Sequence, residues 1–352
     1  MAYNEIFARR LRSAREMRGL SMADLSAELR GSVTPQAIYK YENGKMLPGS
    51  ALLIEFSRVL GVPPDYFFRP FAVSISGIEF RKKARLGAKE RKSIESIATD
   101  RVERYVEIED ICGLLPECKF RKNPTLIRSD EDAVSLAQSL RQELGLGNGR
   151  LPNVIKFLEG LGIIVIELKA SDAFDGLSGF ANDIPVIVIN QEFQPERKRF
   201  TALHELGHLA MTFPEGTDDR KIEALCNLFA SEMLLPTEEF KHAAEQMLKG
   251  KISLQDLAEL QREYGISIDA MMYKAKHDDL IPESKHRNYH IMKNTRPAFK
   301  KYAEASRIPA EGSDSFECMV YKAVDGNLIS TSKAASLLDV PVEEVMQKSF
   351  IL

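Results

Sequence analysis

Apolar residues recur at helical spacing through residues 1–70, where short amphipathic runs alternate with turn signals. Phe7, Leu11 and Ala14 mark a first helix. Thr34-Pro35 caps and starts a third helix, and Asn43-Gly44 ends it. The predicted helices cover residues 4–18, 22–29, 35–42 and 50–60.

Three stretches of different pattern follow these short helices. Residues 79–115 carry an apolar stripe that includes Ile94 and Ile108, and they predict one long charged helix. Residues 130–282 alternate helical and strand-like patterns, and residues 283–352 begin irregular and end helical. The sequence therefore predicts a mainly α protein with a small β-sheet (α+β). The predicted domains are residues 1–70, 71–128, 129–282 and 283–352.

Composition and the lengths of apolar runs exclude several classes of protein. A chain of 352 residues, 44% of them hydrophobic, is long enough for two or three domains. No apolar run reaches the length of a membrane span, and the N-terminus lacks the apolar core of a secretory signal. The four cysteines form no C-x-x-C pair, so we expect a reducing, cytoplasmic location and no disulfide scaffold.

Charge is unevenly distributed along the chain. The net charge is -3, but residues 1–92 carry 17 Lys and Arg against 9 Asp and Glu, a balance of +8. The other 260 residues therefore carry -11. A basic module joined to an acidic body favours nucleic-acid binding by the N-terminal part, and the alternative is an ordinary solvated basic surface.

Residues 22–42 predict two short helices joined by a tight turn, which is the arrangement of a helix-turn-helix unit. In such a unit the second helix lies in the DNA major groove, with Ile38 and Tyr41 turned to the core. Outward side chains would reach base edges and phosphates, because Gln pairs with adenine and Lys with guanine or phosphate. The candidate DNA contacts are Gln36, Tyr39, Lys40, Asn43 and Lys45.

The run from Gly19 to Pro48, which contains Tyr41-Glu42-Asn43-Gly44-Lys45, resembles the lambda-repressor type (XRE family) DNA-binding domain. The resemblance covers residues 6–68 and implies binding to a double-stranded operator. Two departures are Met22, where the family often has Gln, and the extra residues Arg30–Ser32. A four-helix interaction module that has lost DNA binding is the alternative.

His204-Glu205-Leu206-Gly207-His208 is the strongest chemical signal in the chain. On a helix, residues i and i+4 lie on one face, so His204 and His208 can converge on one Zn²⁺. Glu205 between them can act as general base toward a water on the metal. An ordinary helix that happens to carry a His pair is the alternative.

A catalytic zinc site needs a third protein ligand. The predicted helix 219–235 places Glu223 on an otherwise apolar face, where a carboxylate is costly unless it is paired or metal-bound. Glu223 is therefore the predicted third ligand. The other candidates are weaker: Glu232 and His242 as ligands, with His277, His286 and His290 expected at the surface without a ligand partner.

Two runs around these residues, Arg199–His208 and Glu223–Ala230 with the following Leu-Leu-Pro, resemble the ImmA/IrrE-type zinc metallopeptidases. That family's pattern is HExxH followed by E-x-x-A-N-x-F-A and L-L-x-P, and Cys226 stands where Ala is usual. The resemblance covers residues 130–282. Upstream segments look like the family's short strands: residues 158–168, 174–179 and 184–190.

This second resemblance implies a gluzincin-like site in a zincin-like domain. His204, His208 and Glu223 would hold Zn²⁺, and Glu205 would be the base for amide hydrolysis. Mn²⁺ or another divalent ion is an alternative that metal availability decides. An extended substrate could pair with the strand-like segment Phe174–Phe180.

Together these signals predict a cytoplasmic, zinc-dependent endopeptidase that carries its own DNA-binding domain and does not associate with membranes. By resemblance, its substrate would be a transcriptional repressor cleaved in a stress, mobile-element or defence response. Single-stranded DNA is an alternative ligand that could act as a trigger. The competing hypothesis is a transcriptional regulator whose zinc domain is sensory or structural and does not turn over.

Two hypotheses account for the apolar stripe of the long charged helix. It would pack on the peptidase body or, alternatively, form a homodimer contact, because helix-turn-helix domains usually bind two half-sites.

Overall fold

The computed structural model describes residues 3–71, 73, 75–76, 86–114, 120, 123–246 and 252–349. Helices dominate this part of the chain, which confirms the predicted α+β class. None of the helices so described is both long and apolar enough to cross a bilayer. The first helices are α1 (Tyr3–Met17), α2 (Met22–Glu28), α3 (Pro35–Glu42), α4 (Ser50–Leu60), α5 (Ala88–Ile111), α6 (Asp130–Glu143), α7 (Val154–Gly160), α8 (Pro195–Ala210) and α9 (Asp219–Leu234).

Among the described residues after Thr212 only helices follow, whereas the strands are short and lie mostly in the middle of the chain. The later helices are α10 (Thr237–Gln246), α11 (Leu254–Tyr264), α12 (Ile268–His277), α13 (Glu283–Thr295), α14 (Pro297–Ala303), α15 (Ser315–Asp325), α16 (Thr331–Leu338) and α17 (Val342–Lys348). The strands are β1 (Ile75–Ser76), β2 (Thr125–Leu126), β3 (Ile164–Leu168), β4 (Gly176–Ala181), β5 (Ile184–Asn190) and β6 (Met211–Thr212), and a 3-10 helix covers Pro64–Phe68.

The chain divides into two compact units. The first consists of Met1–Pro116, Phe180–Asp183 and Asp314–Leu352, and the second of Glu117–Gly179 and Ile184–Ser313. The C-terminal helices α15 to α17 therefore belong to the same unit as the N-terminal helices. The four domain boundaries drawn from the sequence stay a prediction.

The N-terminal helices of the first unit pack around one apolar core, in which Phe7, Ile38 and Phe56 are fully buried. Helix α2 begins at Ser21 with a capping box, and α3 begins at Thr34 with Pro35 in its first turn, as the sequence predicts. The Arg15 guanidinium donates two hydrogen bonds to the buried Glu42 carboxylate, at 2.6 and 2.8 Å, and so ties α1 to the end of α3. This bundle holds α3 in a fixed orientation.

Helix α5 covers most of the predicted long helix, and residues 79–85 and 115 of that prediction lie outside the described residues. Its Glu103 accepts a hydrogen bond from Arg10 of α1 at 2.6 Å. Arg104 donates to backbone carbonyls at the end of α16, and Ile108 joins the apolar core of α15 to α17. This packing lies inside the first unit, and the predicted packing of the long helix on the peptidase body stays a prediction.

The second unit contains a parallel pair of strands, β3 and β5, in which Ile164 lies opposite Val186 and Leu168 opposite Asn190. Strand β4 lies next to β5. The predicted strand over residues 158–168 is only partly correct, because its first residues end α7 and Gly162, with φ +80°, turns the chain into β3.

Two glycines allow close packing around α8. A Cβ on Gly207 would lie 3.2 Å from Cδ1 of Phe229 and 3.5 Å from Cα of Cys226, both on α9. A Cβ on Gly176 of β4 would lie 2.8 Å from Cγ2 of Thr201. Because any side chain at these positions would push the neighbouring elements away, the two glycines let α9 and β4 lie directly against the helix that carries the HExxH motif.

Candidate metal centre

Helix α8 presents His204, Glu205 and His208, and helix α9 presents Glu223 to the same place. The Nε2 atoms of His204 and His208 are 3.1 Å apart. Glu223 Oε2 lies 3.2 Å from Nε2 of His204, and Glu223 Oε1 lies 3.3 Å from Nε2 of His208. Among the described side chains, these three form the group whose ligand atoms all lie within 4.8 Å of one another.

The far sides of both imidazoles are held by consecutive residues of α9. His204 Nδ1 lies 2.9 Å from Oδ1 of Asn227, and His208 Nδ1 lies 3.6 Å from Sγ of Cys226. With each Nδ1–H donated to these acceptors, each Nε2 points into the cluster, where its lone pair becomes available to a metal once any proton on Nε2 has left. The sequence reading assigned no role to Asn227 or Cys226, although both lie one turn after Glu223, where a helix returns to the same face.

The Glu223 carboxylate and the His204 imidazole stabilise each other's charged forms. Burial alone would raise the pKa of the Glu223 carboxyl, but the hydrogen bonds from His204 and His208 outweigh it and hold this pKa well below its usual range. Burial works to lower the pKa of His204, and the hydrogen bond to Glu223 and the charge of Glu205 raise it instead. A cluster that holds a proton so strongly offers the same negative charge to a metal cation, which competes with that proton.

Glu205 is buried on the face of α8 that packs against β4, with an exposed fraction of 4%. Its Oε2 accepts a hydrogen bond of 2.9 Å from the Ser178 hydroxyl of β4. This contact fixes the carboxylate next to the two imidazoles. Ser178 lies in the strand-like segment recognised from the sequence, but a single sequence gives no sign that its hydroxyl turns toward α8.

The donor set fits a tetrahedral zinc ion. Two ligand atoms that each lie 2.0–2.1 Å from one ion, at tetrahedral angles, must be about 3.3–3.4 Å apart. The separations within the cluster, 3.1 to 3.3 Å, come close to this requirement. Two imidazoles and one carboxylate are also a ligand set known for catalytic zinc.

The weaker candidates from the sequence occupy other surroundings. Glu232 is fully buried and pairs with Lys274 Nζ at 2.7 Å, so it belongs to a structural ion pair. His242 contacts Gln246 on the surface of α10, and His277 contacts Asp130 and Asp278.

The expectation that His286 is a surface residue without a ligand-spaced partner is wrong. Its exposed fraction is 7%, and its Nε2 lies 3.1 Å from that of His290. The i, i+4 spacing of these two residues is the sequence signal that predicts the pair.

The five candidate DNA contacts all lie on the exposed side of α3 and the loop after it, while Ile38 and Tyr41 are buried as predicted. The Asn43 side chain donates to the carbonyl of Tyr39 at 2.7 Å and so extends the end of the helix. Lys45 Nζ lies 6.0 Å from the centre of the Tyr39 ring. The exposed candidates are Gln36, Tyr39, Lys40, Asn43 and Lys45.

Phe180, at the end of the segment predicted to pair with a substrate, lies opposite Ser76 of β1, and Ala181 lies opposite Ile75. The end of β4 is therefore already paired within the first unit. Any added strand would have to use the earlier residues of β4.

Comparisons with known proteins agree with both resemblances. Residues 158–276 match the profile of the IrrE N-terminal-like domain, and residues 11–67 match a helix-turn-helix profile. The chain is 30% identical over 112 residues to the radiation response metalloprotease IrrE of Deinococcus radiodurans, over 28% of this chain and 32% of that protein. It is 28% identical over 159 residues to the protein of the same name from Deinococcus deserti, over 40% of this chain and 54% of that protein.

The chain thus spans about a third of the length of the Deinococcus radiodurans protein and about half of the length of the Deinococcus deserti protein. The domain matches nevertheless coincide with the elements described above: the first covers β3 to α12, including the His-His-Glu cluster, and the second covers most of α1 to α4. We conclude that this chain carries an N-terminal region that is similar to helix-turn-helix domains of the XRE type and a later region that is similar to the IrrE N-terminal-like domain of metallopeptidases.

Proposed function

We propose that the protein is a zinc-dependent endopeptidase that carries its own DNA-binding domain. The observation that carries the proposal is the meeting of two Nε2 atoms and the Glu223 carboxylate at 3.1 to 3.3 Å, with the Glu205 carboxylate next to them on α8. A purely structural zinc site has four protein ligands and needs no neighbouring base, whereas a catalytic site has three and an open position.

In this proposal, His204, His208 and Glu223 hold the zinc ion, which when bound supplies Lewis acidity for the attack of water on an amide. Glu205 accepts the proton of the attacking water and returns it to the departing amine as the C–N bond breaks. The Ser178 hydroxyl orients the Glu205 carboxylate for this transfer. Asn227 and Cys226 hold the two imidazoles in the tautomer that turns Nε2 toward the metal.

The proposed substrate is a transcriptional repressor, cleaved in a stress, mobile-element or defence response. Two features support this choice: the relatives are named radiation response metalloproteases, and this chain has a helix-turn-helix domain that could bring it to the DNA where a repressor sits. Double-stranded operator DNA is the proposed nucleic-acid ligand, with single-stranded DNA as an alternative trigger, and a homodimer would match two half-sites.

The decisive experiment uses Glu205→Gln, which keeps the shape of the side chain and removes the base. The purified variant and the unaltered protein are loaded with zinc, their metal content is measured, and candidate repressors are tested for fragments. We expect the variant to retain zinc and to lose about 10²–10⁴-fold in cleavage rate. Equal cleavage by both proteins would refute the mechanism.

A regulator whose zinc domain senses or stabilises without turnover is the competing function. The fixed Ser178–Glu205 contact is compatible with such a resting site. The two functions differ in one outcome: a sensor changes DNA affinity when zinc binds but leaves every candidate protein intact, whereas the endopeptidase produces fragments that depend on Glu205.

DNA binding by the first unit is tested separately. Replacing both Gln36 and Lys40 by Ala should weaken binding to a specific duplex and reduce its dependence on salt, because one base contact and one phosphate contact are lost. Exposed Glu28 of α2, replaced by Gln, serves as a control outside α3. If the double variant binds with unchanged affinity and salt dependence, α3 is not the recognition helix.

A further inference from the structure

A second pair of histidines repeats the geometry of the metal centre on another helix. Four of the six histidines form two i, i+4 pairs, His204 with His208 on α8 and His286 with His290 on α13. The Nε2 atoms of the second pair are 3.1 Å apart, the same distance as in the first. The ring centres are 4.5 Å apart in the second pair and 4.8 Å apart in the first.

The second pair lies among aromatic rings. The ring of Tyr273, on α12, lies 4.8 Å from that of His286 and 5.6 Å from that of His290, and the Tyr289 ring lies 5.2 Å from that of His290. His286 is buried and His290 half-buried, whereas Tyr273 is largely exposed. The pair is therefore shielded on one side and open toward solvent at His290.

The electrostatic surroundings of His286 favour its neutral form. Burial, followed by the neighbouring His290 and Lys276, lowers the pKa of His286, and Glu283 opposes this shift. A neutral imidazole keeps the lone pair that a metal ion requires, so protons compete less with a metal for His286 than for an ordinary surface histidine.

We propose that His286 and His290 form a second metal site that takes a divalent transition-metal ion with a preference for imidazole, the class of Cu²⁺, Ni²⁺ and Zn²⁺. Two nitrogens that each lie 2.0–2.1 Å from one ion, at angles between about 90° and 110°, are about 2.9–3.4 Å apart. The observed 3.1 Å lies within this range, so the rings need not move. Water completes the coordination.

Binding replaces the hydrogen bond between the two rings. In the metal-free pair one Nε2–H donates to the other Nε2, so the donor ring must transfer this proton to its Nδ1 through solvent before both lone pairs face the ion. One Nε2–H bond breaks and one Nδ1–H bond forms in that ring, with solvent carrying the proton, and the net protonation of the pair is unchanged. Because the described residues add no carboxylate to this pair, the site is weaker than the first and favours the metals that bind nitrogen best.

The test begins with the unaltered protein. The chain is loaded with one equivalent of Zn²⁺, free zinc is removed, and Cu²⁺ is added while released zinc is monitored. We expect one further equivalent of Cu²⁺ to bind without zinc release, and pulsed electron paramagnetic resonance to report two imidazole nitrogens on it. A copper signal with one imidazole or none, or copper uptake matched by released zinc, would overturn the proposal.

The variant His290→Gln identifies the residues. His290 is the half-buried member of the pair, so its replacement disturbs packing less than replacement of His286. Copper affinity should fall at least about tenfold, since even the loss of a group that only supports a metal ligand has an effect of this size. The variant should also lose the rise in Tm that Cu²⁺ produces in the unaltered protein.

His242→Gln is the matched control, because His242 Nε2 lies 3.1 Å from the side chain of Gln246 at the same i, i+4 spacing but offers a single imidazole. This control should leave the second copper ion in place. Unchanged copper affinity in His290→Gln, or its loss in His242→Gln, contradicts the assignment. Should His290→Gln fail to fold, the resonance spectrum of the unaltered protein still decides the number of imidazoles. Neither result depends on whether the first site cleaves a protein.

Discussion

The two histidine pairs of the second unit have the same spacing and the same distance between nitrogens, yet their surroundings differ. On α8, the pair faces Glu223, and both Nδ1 atoms have acceptors on α9. On α13, the pair faces the rings of Tyr273 and Tyr289. Helical spacing alone therefore sets where two imidazoles meet, and the neighbouring helix sets what they can bind.

A carboxylate changes the first site in two ways. It adds a third ligand, and its charge holds a cation where neutral rings would hold it weakly. The Nδ1 acceptors then orient both imidazoles, so the first pair has only to release the proton that it shares with Glu223 before both Nε2 atoms can bind a metal. The second pair has two imidazoles in contact and must rearrange a proton before it binds. Substitutions on α9 measure how much each of these features contributes.

The largest effect is expected from Glu232, a fully buried carboxylate of α9, which pairs with Lys274 at 2.7 Å. Glu232→Gln leaves Lys274 Nζ with Asp278 at 3.2 Å as its remaining carboxylate partner. Removing one partner of a buried ion pair costs about 3–5 kcal/mol, and Asp278 favours the lower end. Urea unfolding should show this loss with the metal stoichiometry unchanged. Loss of metal in a folded Glu232→Gln variant would reverse the roles given to Glu223 and Glu232.

The matched control is Glu344→Gln, which alters the exposed ion pair between Glu344 and Lys348. Exposed pairs contribute about 0–1 kcal/mol, so its unfolding curve should nearly overlay that of the unaltered protein.

The same ion pair predicts a pH dependence. Burial would raise the pKa of Glu232, but the charge of Lys274 and its hydrogen bond outweigh burial and lower this pKa in the folded protein. The unfolded chain therefore binds the proton more tightly, and the stability that Glu232 contributes is present at neutral pH and lost as the pH falls from the usual glutamate range toward the lowered pKa. Between pH 7 and pH 4, the unaltered protein should lose more stability than Glu232→Gln. Equal losses would contradict the lowered pKa.

Glu223→Gln tests the feature that separates the two histidine pairs. Without the carboxylate charge the first pair resembles the second. Loss of a group that only supports a metal ligand lowers metal affinity by up to about 100-fold, so loss of the Glu223 ligand itself should lower zinc affinity by more than this. Competition with a zinc-binding dye measures this affinity. Glu215→Gln, an exposed glutamate in the loop before α9, should leave it unchanged. A folded Glu223→Gln protein with full zinc affinity would contradict the ligand assignment.

The sequence predicted well wherever local rules decide the structure. The cap at Thr34-Pro35 and the stop at Asn43-Gly44 placed both ends of α3 correctly, because the side chains that begin and end a helix are its neighbours in sequence. The candidate ligands His204, His208 and Glu223 also came from local patterns, since the spacing of residues within each helix indicates which of them share a face. These features need no knowledge of the tertiary fold.

Contacts between distant segments were harder to predict. Arg199 is buried against Glu311, a partner 112 residues away in the sequence. Glu311 lies in the segment between α14 and α15. The packing of α5 on α1 and α16 depends on side chains such as Glu103 and Arg104, which look like an ordinary charged helix face in the sequence. Periodicity shows that a face is apolar, but it does not show which surface covers that face.

Asn227→Ala removes the acceptor for His204 Nδ1–H and leaves all three ligands in place. Loss of such a partner typically lowers metal affinity about 10–100-fold, because the ring is free to rotate and to change tautomer. The affinity for zinc should therefore fall less than in Glu223→Gln. Asn227→Asp, which retains an acceptor, should recover most of the loss. If alanine and aspartate weaken zinc binding equally, the contact does not orient the ring.

The smallest effect is expected at Cys226, whose Sγ lies 3.6 Å from His208 Nδ1. A thiol is a weaker acceptor than an amide oxygen, and the related family usually has alanine at this position. Loss of a strong supporting partner lowers metal affinity by about 10–100-fold, so Cys226→Ala should lower zinc affinity by less than about tenfold. Cys226→Ser should lie between alanine and the unaltered protein. The same dye competition measures the zinc affinity of the unaltered protein and of both Cys226 variants. Cys112 lies at the C-terminal end of α5, and Cys112→Ala is the control. An effect at Cys226 as large as that at Asn227 would mean that the two histidines of the first pair depend equally on α9 for their orientation, and that the thiol in this chain has replaced an oxygen acceptor rather than a methyl group.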